Sequence, residues 1–366
     1  MTRGPVAVLG GYGGVGAVAA RLLSEWGVGP LRLGGRDPDR LARAAEELGG
    51  GVSTALVDAT DPGALHRFCS GAAVVLNAAG PSHLLRDVVG RAARAVGAAY
   101  VDPAGDEDLR ERLRDDDNGT VTLLSAGMLP GLTGLLPRCL AALQPGEGGT
   151  LTGYVGGRDR FTPAGASDYL LAGDGFGEPF AAVRAGVRVR GAARAVDDAW
   201  PPFFPEPVAA TPYLSTESER VAAELKLADL TWFHVVAGRY LPDVLRRAAS
   251  RVAVDAATAV TEVRRAADLD TFGREAYQII LVELSGPGGG PCLSVMLRGT
   301  GASGLTGAFA AIATRAAWSG EAPAGVHHAA EVLDPAAALD LLRTTPTVTG
   351  LEIVDGPADA TEEETL

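Results

Sequence analysis

Apolar positions run without interruption from Val6 to Leu9, stop at a cluster of glycines, and resume at Val15, Val18, Ala19, Leu22, Leu23 and Trp26. The first run predicts a buried strand. The second has the i, i+3, i+4, i+7 spacing of one helical stripe, able to pack back on the sheet that the strand begins. The same alternation of period continues. Leu31–Leu33 reads as a second strand and Asp39–Leu48 as a helix, with Asp37 placed to cap it and Pro38 at its first position. Val52–Val57 reads as a third strand, Pro62–Phe68 as a helix, and Ala73–Asn77 as a fourth strand whose continuous apolarity predicts a central place with both faces covered. A helix over His83–Val96 leads to a strand at Ala98–Asp102, and Thr120–Leu124 gives a sixth. Six strands joined by crossover helices predict an α/β fold built on a doubly wound parallel sheet.

Regular alternation ends near Met128, where a second α/β domain is expected to begin. There Pro130-Gly131 opens a long apolar helix, Leu151–Gly156 reads as a strand, Ala164–Leu171 as a helix and Val187–Arg190 as a strand. The proline-rich stretch Trp200–Pro212 is expected to run as an extended loop, its aromatic residues either lining a pocket or anchoring it. Helices are expected at Glu217–Leu227, Pro242–Val252, Ala256–Ala267, Gly304–Trp318 and Ala336–Arg343. Tyr277–Leu284 and Cys292–Arg298 form the clearest hairpin, and Leu351–Val354 an edge strand. The acidic tail, 359–366, lacks a core pattern and is expected to be disordered.

The glycine turn carries the first chemistry. In a dinucleotide-binding fold Gly11 makes the tight turn, Gly13 lets the backbone approach a pyrophosphate, and Gly16 lets helix and strand pack closely. The turn as a whole, Gly11, Tyr12, Gly13, Gly14, Val15 and Gly16, is assigned to the cofactor. The end of the second strand chooses the nucleotide: an acidic residue there suits a ribose 2′-OH, an arginine a 2′-phosphate. Asp37 is committed to its helix, so Arg36, with Arg40 as a helper, is assigned to a 2′-phosphate and the cofactor is expected to be NADP(H). Asp58, at the third strand end, either meets the adenine or caps the next helix.

Composition narrows the rest. A formal net charge of −13 opposes nucleic acid and anionic membranes as partners, so an anionic cofactor needs local arginines and backbone amides. No apolar stretch is long enough to span a membrane. The first strand starts too near Met1 to leave room for a secretory leader, which predicts a cytoplasmic protein. Cys69, Cys139 and Cys292 lack metal-ligand spacing and read as buried small apolar residues. Lys226 is the only lysine, which leaves little scope for a lysine base or Schiff base.

The stretches Val74-Val-Leu-Asn-Ala-Ala-Gly-Pro81, Ala99-Tyr-Val-Asp102 and Ser125-Ala-Gly-Met-Leu-Pro-Gly-Leu132, with the opening glycines and Gly34-Gly-Arg-Asp-Pro38, resemble the saccharopine dehydrogenase-like oxidoreductases of the saccharopine reductase type. The resemblance implies a Rossmann domain over 1–127, a substrate and dimerisation domain over 128–302, and a segment, 303–358, returning to the first domain. It also implies a homodimer acting on a small molecule. At the matching positions, Asn77, Ala78, Ala79 and Gly80 are assigned to the cofactor; Asn77 is equally readable as a satisfied strand-end amide. Met128, Pro130 and Gly131 are assigned to it as well, the helix that follows offering free amides.

Candidates for moving a proton are Asp102, at the end of the fifth strand, Tyr169, His234 and His83. Arg158 and Arg160 are candidates for a substrate carboxylate, or else part of a solvated loop, and His327-His328 reads as structural. The expected reaction is hydride transfer to or from a C=N bond of an amino-acid-derived substrate. Reduction of a conjugated C=C or carbonyl, and non-redox use of a tightly held nucleotide, stay open.

Overall fold

The computed structural model describes residues 4–114, 119–171 and 174–361. In chain order its strands and helices are β1 (Val6–Leu9), α1 (Gly14–Glu25), β2 (Leu31–Gly35), α2 (Pro38–Leu48), β3 (Val52–Leu56), α3 (Pro62–Cys69), β4 (Val74–Asn77), α4 (Ser82–Leu85), α5 (Val88–Ala95), β5 (Ala99–Val101), α6 (Glu107–Arg114), β6 (Val121–Leu124) and α7 (Leu132–Leu143). There follow β7 (Thr150–Arg158), α8 (Pro163–Leu171), β8 (Gly177–Pro179), β9 (Ala182–Arg184), β10 (Val187–Val189), β11 (Val196–Ala199), β12 (Val208–Ser215), α9 (Thr216–Glu224), β13 (Asp229–Ala237), α10 (Tyr240–Arg246), α11 (Ala248–Val254), α12 (Ala256–Thr271), β14 (Tyr277–Ser285) and β15 (Cys292–Gly299). The chain ends with α13 (Ala302–Ser319), β16 (Gly325–His328), α14 (Ala329–Val332), α15 (Pro335–Arg343) and β17 (Val348–Asp355).

Two compact units result, one of Met1–Leu132 with Ser303–Thr345, the other of Thr133–Ala302 with Pro346–Leu366. In the first, seven parallel strands lie in the order β16-β6-β5-β4-β1-β2-β3. The fully buried, all-apolar start of β4 occupies the middle of the sheet, as its pattern predicts. The strand order reverses direction between β1 and β4, and this switch point is where an open α/β sheet leaves a crevice at its carboxyl edge. The seventh strand is a finding beyond the six expected: β16 pairs with β6 from some two hundred residues downstream, Val326 opposite Thr122. The helix expected over His83–Val96 is two pieces, α4 and α5, because Arg86 takes a positive φ of 47° between them. Helix α13 lies against α1 through a glycine: a Cβ on Gly307 would stand 2.7 Å from the Cβ of Val18.

The second unit holds a mixed sheet of ten strands whose main path is β10-β9-β13-β7-β14-β15-β17. Strands β7 and β13 are parallel, and β14 and β15 form the expected hairpin with Leu281 opposite Met296. One core joins Phe204, Val235, Tyr277, Ile279, Leu281 and Met296; another packs α8, α10 and α12 through Ala166, Leu241 and Val263. Strand β13 was not expected from the sequence, although it carries the fully buried Trp232, whose ring lies 2.5 Å from where a Cβ on Gly153 would stand. The stretch expected to be a loop up to Pro212 instead enters β12 at Val208, with Pro212 opposite Phe233 and its carbonyl accepting from Phe180 N. The return expected over 303–358 ends at Thr345, since β17 pairs with β15 in the second unit. A 3-10 turn, Ala358–Thr361, reaches into the expected tail, and residues 362–366 lie outside the described residues.

Candidate dinucleotide site

The glycines after β1 answer to different demands. A Cβ on Gly16 would stand 2.3 Å from the Gly10 carbonyl oxygen, and one on Gly11 2.9 Å from Leu33 Cδ2, so both are required by the chain's own packing. Gly10, at φ +76°, lies against the Ala78 carbonyl. Gly13 is different: its nearest neighbour would be the Gly10 oxygen at 3.2 Å, with nothing else within 4 Å. That open side is the cradle a side chain would fill. Gly13 is also the N-cap of α1, where no side chain accepts a hydrogen bond and no acidic residue enters the first turn. By contrast Asp37, Asp61, Ser215, Asp255 and Asp334 cap α2, α3, α9, α12 and α15. The helix start therefore presents the orphan amides of Gly14, Val15 and Gly16 with no carboxylate of its own, a donor set suited to a pyrophosphate.

At the end of β2 the turn is organised by Tyr12. Its hydroxyl accepts from the amides of Arg36 at 3.1 Å and Asp37 at 3.3 Å, and its ring occupies the place a Cβ on Gly35 would take. Asp37 caps α2 by accepting from Arg40 N at 3.0 Å, as expected. The Arg40 guanidinium lies 4.4 Å from the Tyr12 ring centroid. Asp58 is exposed and makes its own turn, accepting from Thr60 N at 2.9 Å and Thr60 Oγ1 at 2.8 Å. The cap of α3 is Asp61, so the helix-cap reading of Asp58 is replaced. The Thr60 amide, then its hydroxyl and the nearby Arg36 charge, hold the Asp58 carboxyl below its ordinary value.

A row of polar side chains closes the ends of β4, β5, β6 and β16. Asn77 Nδ2 donates to Asp102 Oδ2 at 3.0 Å and to Tyr100 Oη at 3.3 Å, and its Oδ1 accepts from Ala79 N at 3.3 Å. Asp102 also accepts from the Tyr100 hydroxyl and from the amides of Ala104 and Gly105. Burial first, then the Asp102 charge, pushes the Tyr100 phenol well above its ordinary value. Both Asn77 and Asp102 are buried, 4% and 3% exposed. Asn77 thus has the hydrogen bonds of a satisfied strand-end amide. The Asp102 carboxylate is engaged by four donors, which fits a clamp between strand ends better than a carrier of protons. Sequence reasoning missed the continuation of this row: Ser125 Oγ donates to Gly105 O at 2.7 Å and meets His328 Nδ1 at 2.8 Å, while His328 Nε2 lies 3.3 Å from Glu107 Oε2. No local signal links Ser125 to His328, which stand 203 positions apart.

The loop after β6 closes on itself. Gly127 N donates to Pro130 O, Leu132 N to Gly127 O, and Met128 N to Thr306 Oγ1 at 3.2 Å. Gly131, at φ +134°, leaves no room for a Cβ, which would stand 2.2 Å from Gly127 O. The start of α7 differs from the expected open terminus. Thr133 Oγ1 donates to the buried Glu217 carboxylate, whose Oε1 would lie 2.7 Å from a Cβ on Gly134. The first turn of α7 is thus met by a carboxylate of the chain.

Residues 6–122 match the family model of the saccharopine dehydrogenase NADP-binding domain. Over those residues the chain is similar to the saccharopine dehydrogenase family. What matches there is an NADP-binding domain, which makes NADP(H) the cofactor. A probable mitochondrial saccharopine dehydrogenase-like oxidoreductase of Arabidopsis thaliana is 27% identical over 139 residues, which cover 34% of this chain and 31% of that protein. The match thus takes in under a third of that relative's length. Saccharopine dehydrogenase (L-Glu forming) of Saccharomyces cerevisiae shares the fold, with a TM-score of 0.62 at 14% identity, covering 96% of this chain and 100% of that one. Among the described residues no helix is long and apolar enough to cross a membrane.

The remaining candidates lie in the second unit, apart from His83 on α4. Arg158, at the end of β7, is paired with Glu206 at 2.5 Å and its side chain is 11% exposed; Tyr277 donates to the same carboxylate oxygen at 3.1 Å. One end of that guanidinium is thus held by Glu206, while its buried Nε has no hydrogen-bond partner among the described residues. Arg160 is 66% exposed and meets Thr271 Oγ1 at 3.3 Å, which corresponds to the solvated-loop reading. Tyr169, on α8, sets its ring edge-on to Phe161 at 5.5 Å. His234, on β13, stacks on Tyr213 at 4.6 Å, and burial pushes its imidazole down to about 4, so it is uncharged at neutral pH.

Proposed function

We propose that this saccharopine dehydrogenase-like chain is an NADP(H)-dependent oxidoreductase that moves a hydride to or from a C=N bond of a small amino-acid-derived substrate. The observation that carries the reading is the uncapped start of α1, with open space at Gly13, inside the residues matched by the NADP-binding domain. When bound, the dinucleotide supplies or takes the hydride. The chain's own part is to hold and orient it. The amides of Gly14, Val15 and Gly16 bind pyrophosphate; Arg36 and Arg40 neutralise the 2′-phosphate. The Asn77–Tyr100–Asp102 clamp fixes the strand ends, and with them the Ala78–Gly80 and Ser125–Gly131 loops that border the crevice. The choice of a C=N bond is supported by the likeness to saccharopine dehydrogenases rather than by any side chain. We further propose that the chain works as a homodimer in the cytoplasm.

The test is NADPH oxidation by nucleotide-free protein against a panel of imines, keto acids and enoyl compounds. Turnover confined to the imines is expected. Turnover on another class alone would replace the substrate reading, and tight NADPH binding with no net oxidation across the panel would favour a non-redox use of the nucleotide.

A further inference from the structure

We infer that Tyr12 is the residue that makes this site select a 2′-phosphorylated dinucleotide, both as a donor to the phosphate and as the support of the two arginines beside it. The inference rests on the NADP(H) reading of the domain and adds a residue whose type the glycine motif leaves free. Three observations converge on it. First, the Tyr12 hydroxyl accepts two backbone amides, those of Arg36 and Asp37, so the turn that carries Arg36 is tied to the glycine loop by the phenol oxygen. A phenol that accepts in this way still has its own hydrogen to give. Among the described residues the chain supplies no acceptor for it.

Second, Arg40 is fixed on Tyr12 twice over, its guanidinium 4.4 Å from the ring centroid and its Nη2 donating to Tyr12 O at 3.3 Å. A stacked guanidinium keeps its in-plane N–H groups for an anion. Third, neither Arg36 nor Arg40 forms a salt bridge with a carboxylate among the described residues; the Asp58 charge acts on Arg36 from a distance. In a chain of net charge −13 that ion-pairs arginines throughout, an Arg40 guanidinium stacked on Tyr12, an Arg36 on the turn that the Tyr12 hydroxyl holds, neither with a carboxylate partner among the described residues, and an unspent phenol hydrogen form a site for a dianion. Gly35 belongs to the same device, since its missing Cβ is what admits the Tyr12 ring, 2.3 Å from where that atom would be.

The sequence position explains why one residue can do this. Tyr12 lies between Gly11 and Gly13, so any shift of its ring moves the pyrophosphate loop and the β2–α2 turn together. The test compares the unaltered protein with Tyr12→Phe, which keeps the ring, and Tyr12→Leu, which removes the stack as well. Dissociation constants for NADPH and NADH are read by fluorescence, and those for adenosine 2′,5′-bisphosphate and adenosine 5′-monophosphate by calorimetry. Circular dichroism and thermal midpoint serve as folding controls.

Tyr12→Phe is expected to weaken NADPH and the bisphosphate about 10-fold, with NADH and the monophosphate within twofold; Tyr12→Leu should widen the gap. Equal losses on both members of each pair, or no loss on either, would overturn the inference while leaving the dinucleotide reading intact. Failure of the unaltered protein to bind NADPH would overturn both.

Discussion

Helices α1 and α7 both follow a strand of the parallel sheet through a glycine-containing turn, and both look from the sequence like places for an anion. The structure treats them in opposite ways. At α1 the chain withholds every cap: Gly13 has no side chain, the first turn has no acid, and a Cβ at Gly13 would meet almost nothing. At α7 the chain supplies the anion itself, with Glu217 buried against the first turn and held by Thr133. A helix start always leaves donors to be satisfied. Whether a ligand can satisfy them depends on whether a side chain from elsewhere arrives first, and that residue need not be near in sequence: Glu217 comes from 84 positions beyond Thr133.

The comparison can be broken most severely by making α1 resemble its counterpart. Gly13→Asp places a carboxylate at the bare cap, where it takes up the first-turn amides and repels a pyrophosphate. NADPH affinity should fall on the order of 100-fold, with the thermal midpoint unchanged or slightly raised. A fluorescence titration and a melting curve on the same sample decide it, and an unchanged Kd would mean that the open terminus has nothing to do with the nucleotide.

The reciprocal change, Glu217→Gln, removes the charge that closes α7. It is expected to cost roughly 1 to 3 kcal/mol of stability in urea unfolding, since a buried charged hydrogen bond is lost. NADPH affinity should stay within twofold; a large loss would place α7 in cofactor binding after all.

A gentler probe separates the two units by pH. His234 has its folded value pushed down to about 4 from the ordinary 6.5, so the unfolded chain takes up a proton first. Its contribution to stability is fully present above about pH 6.5 and is lost as the pH falls towards 4. The urea midpoint should drift downward over that window, and His234→Phe should flatten the drift. A variant that follows the unaltered protein's curve would assign the drift to other groups.

The strand ends show how far local pattern reaches. The strands β1 to β6 and the helices α1 to α3 were legible by period, and α2 and α3 have caps as well: Asp37 does cap α2, and Asp61 with Pro62 starts α3; helix α6 was not expected. Tyr100 and Asp102 sit two residues apart, so their presence at one strand end could be read, but their joining to Asn77 could not. His328 was read as structural in a segment returning to the first domain, but its strand was not, since Gly-Val-His-His is too short and too polar to read as a strand of a parallel sheet. Its pairing with β6 spans the whole second unit in sequence. The partner of Arg158 was hidden for a related reason. An arginine at a strand end looks available until the fold brings Glu206 to it.

The sequence by itself determined the dinucleotide fold, the glycine turn and the likeness of its first third to an NADP-binding domain, because these depend on contiguous residues whose spacing is their geometry. Only the tertiary structure decided which polar groups are spent and which are left for a ligand. Hydrogen bonds and ion pairs saturate, so a side chain's chemistry is set by the partner that reaches it, and those partners, Glu206, Glu217 and His328 among them, come from chain segments that no local pattern connects.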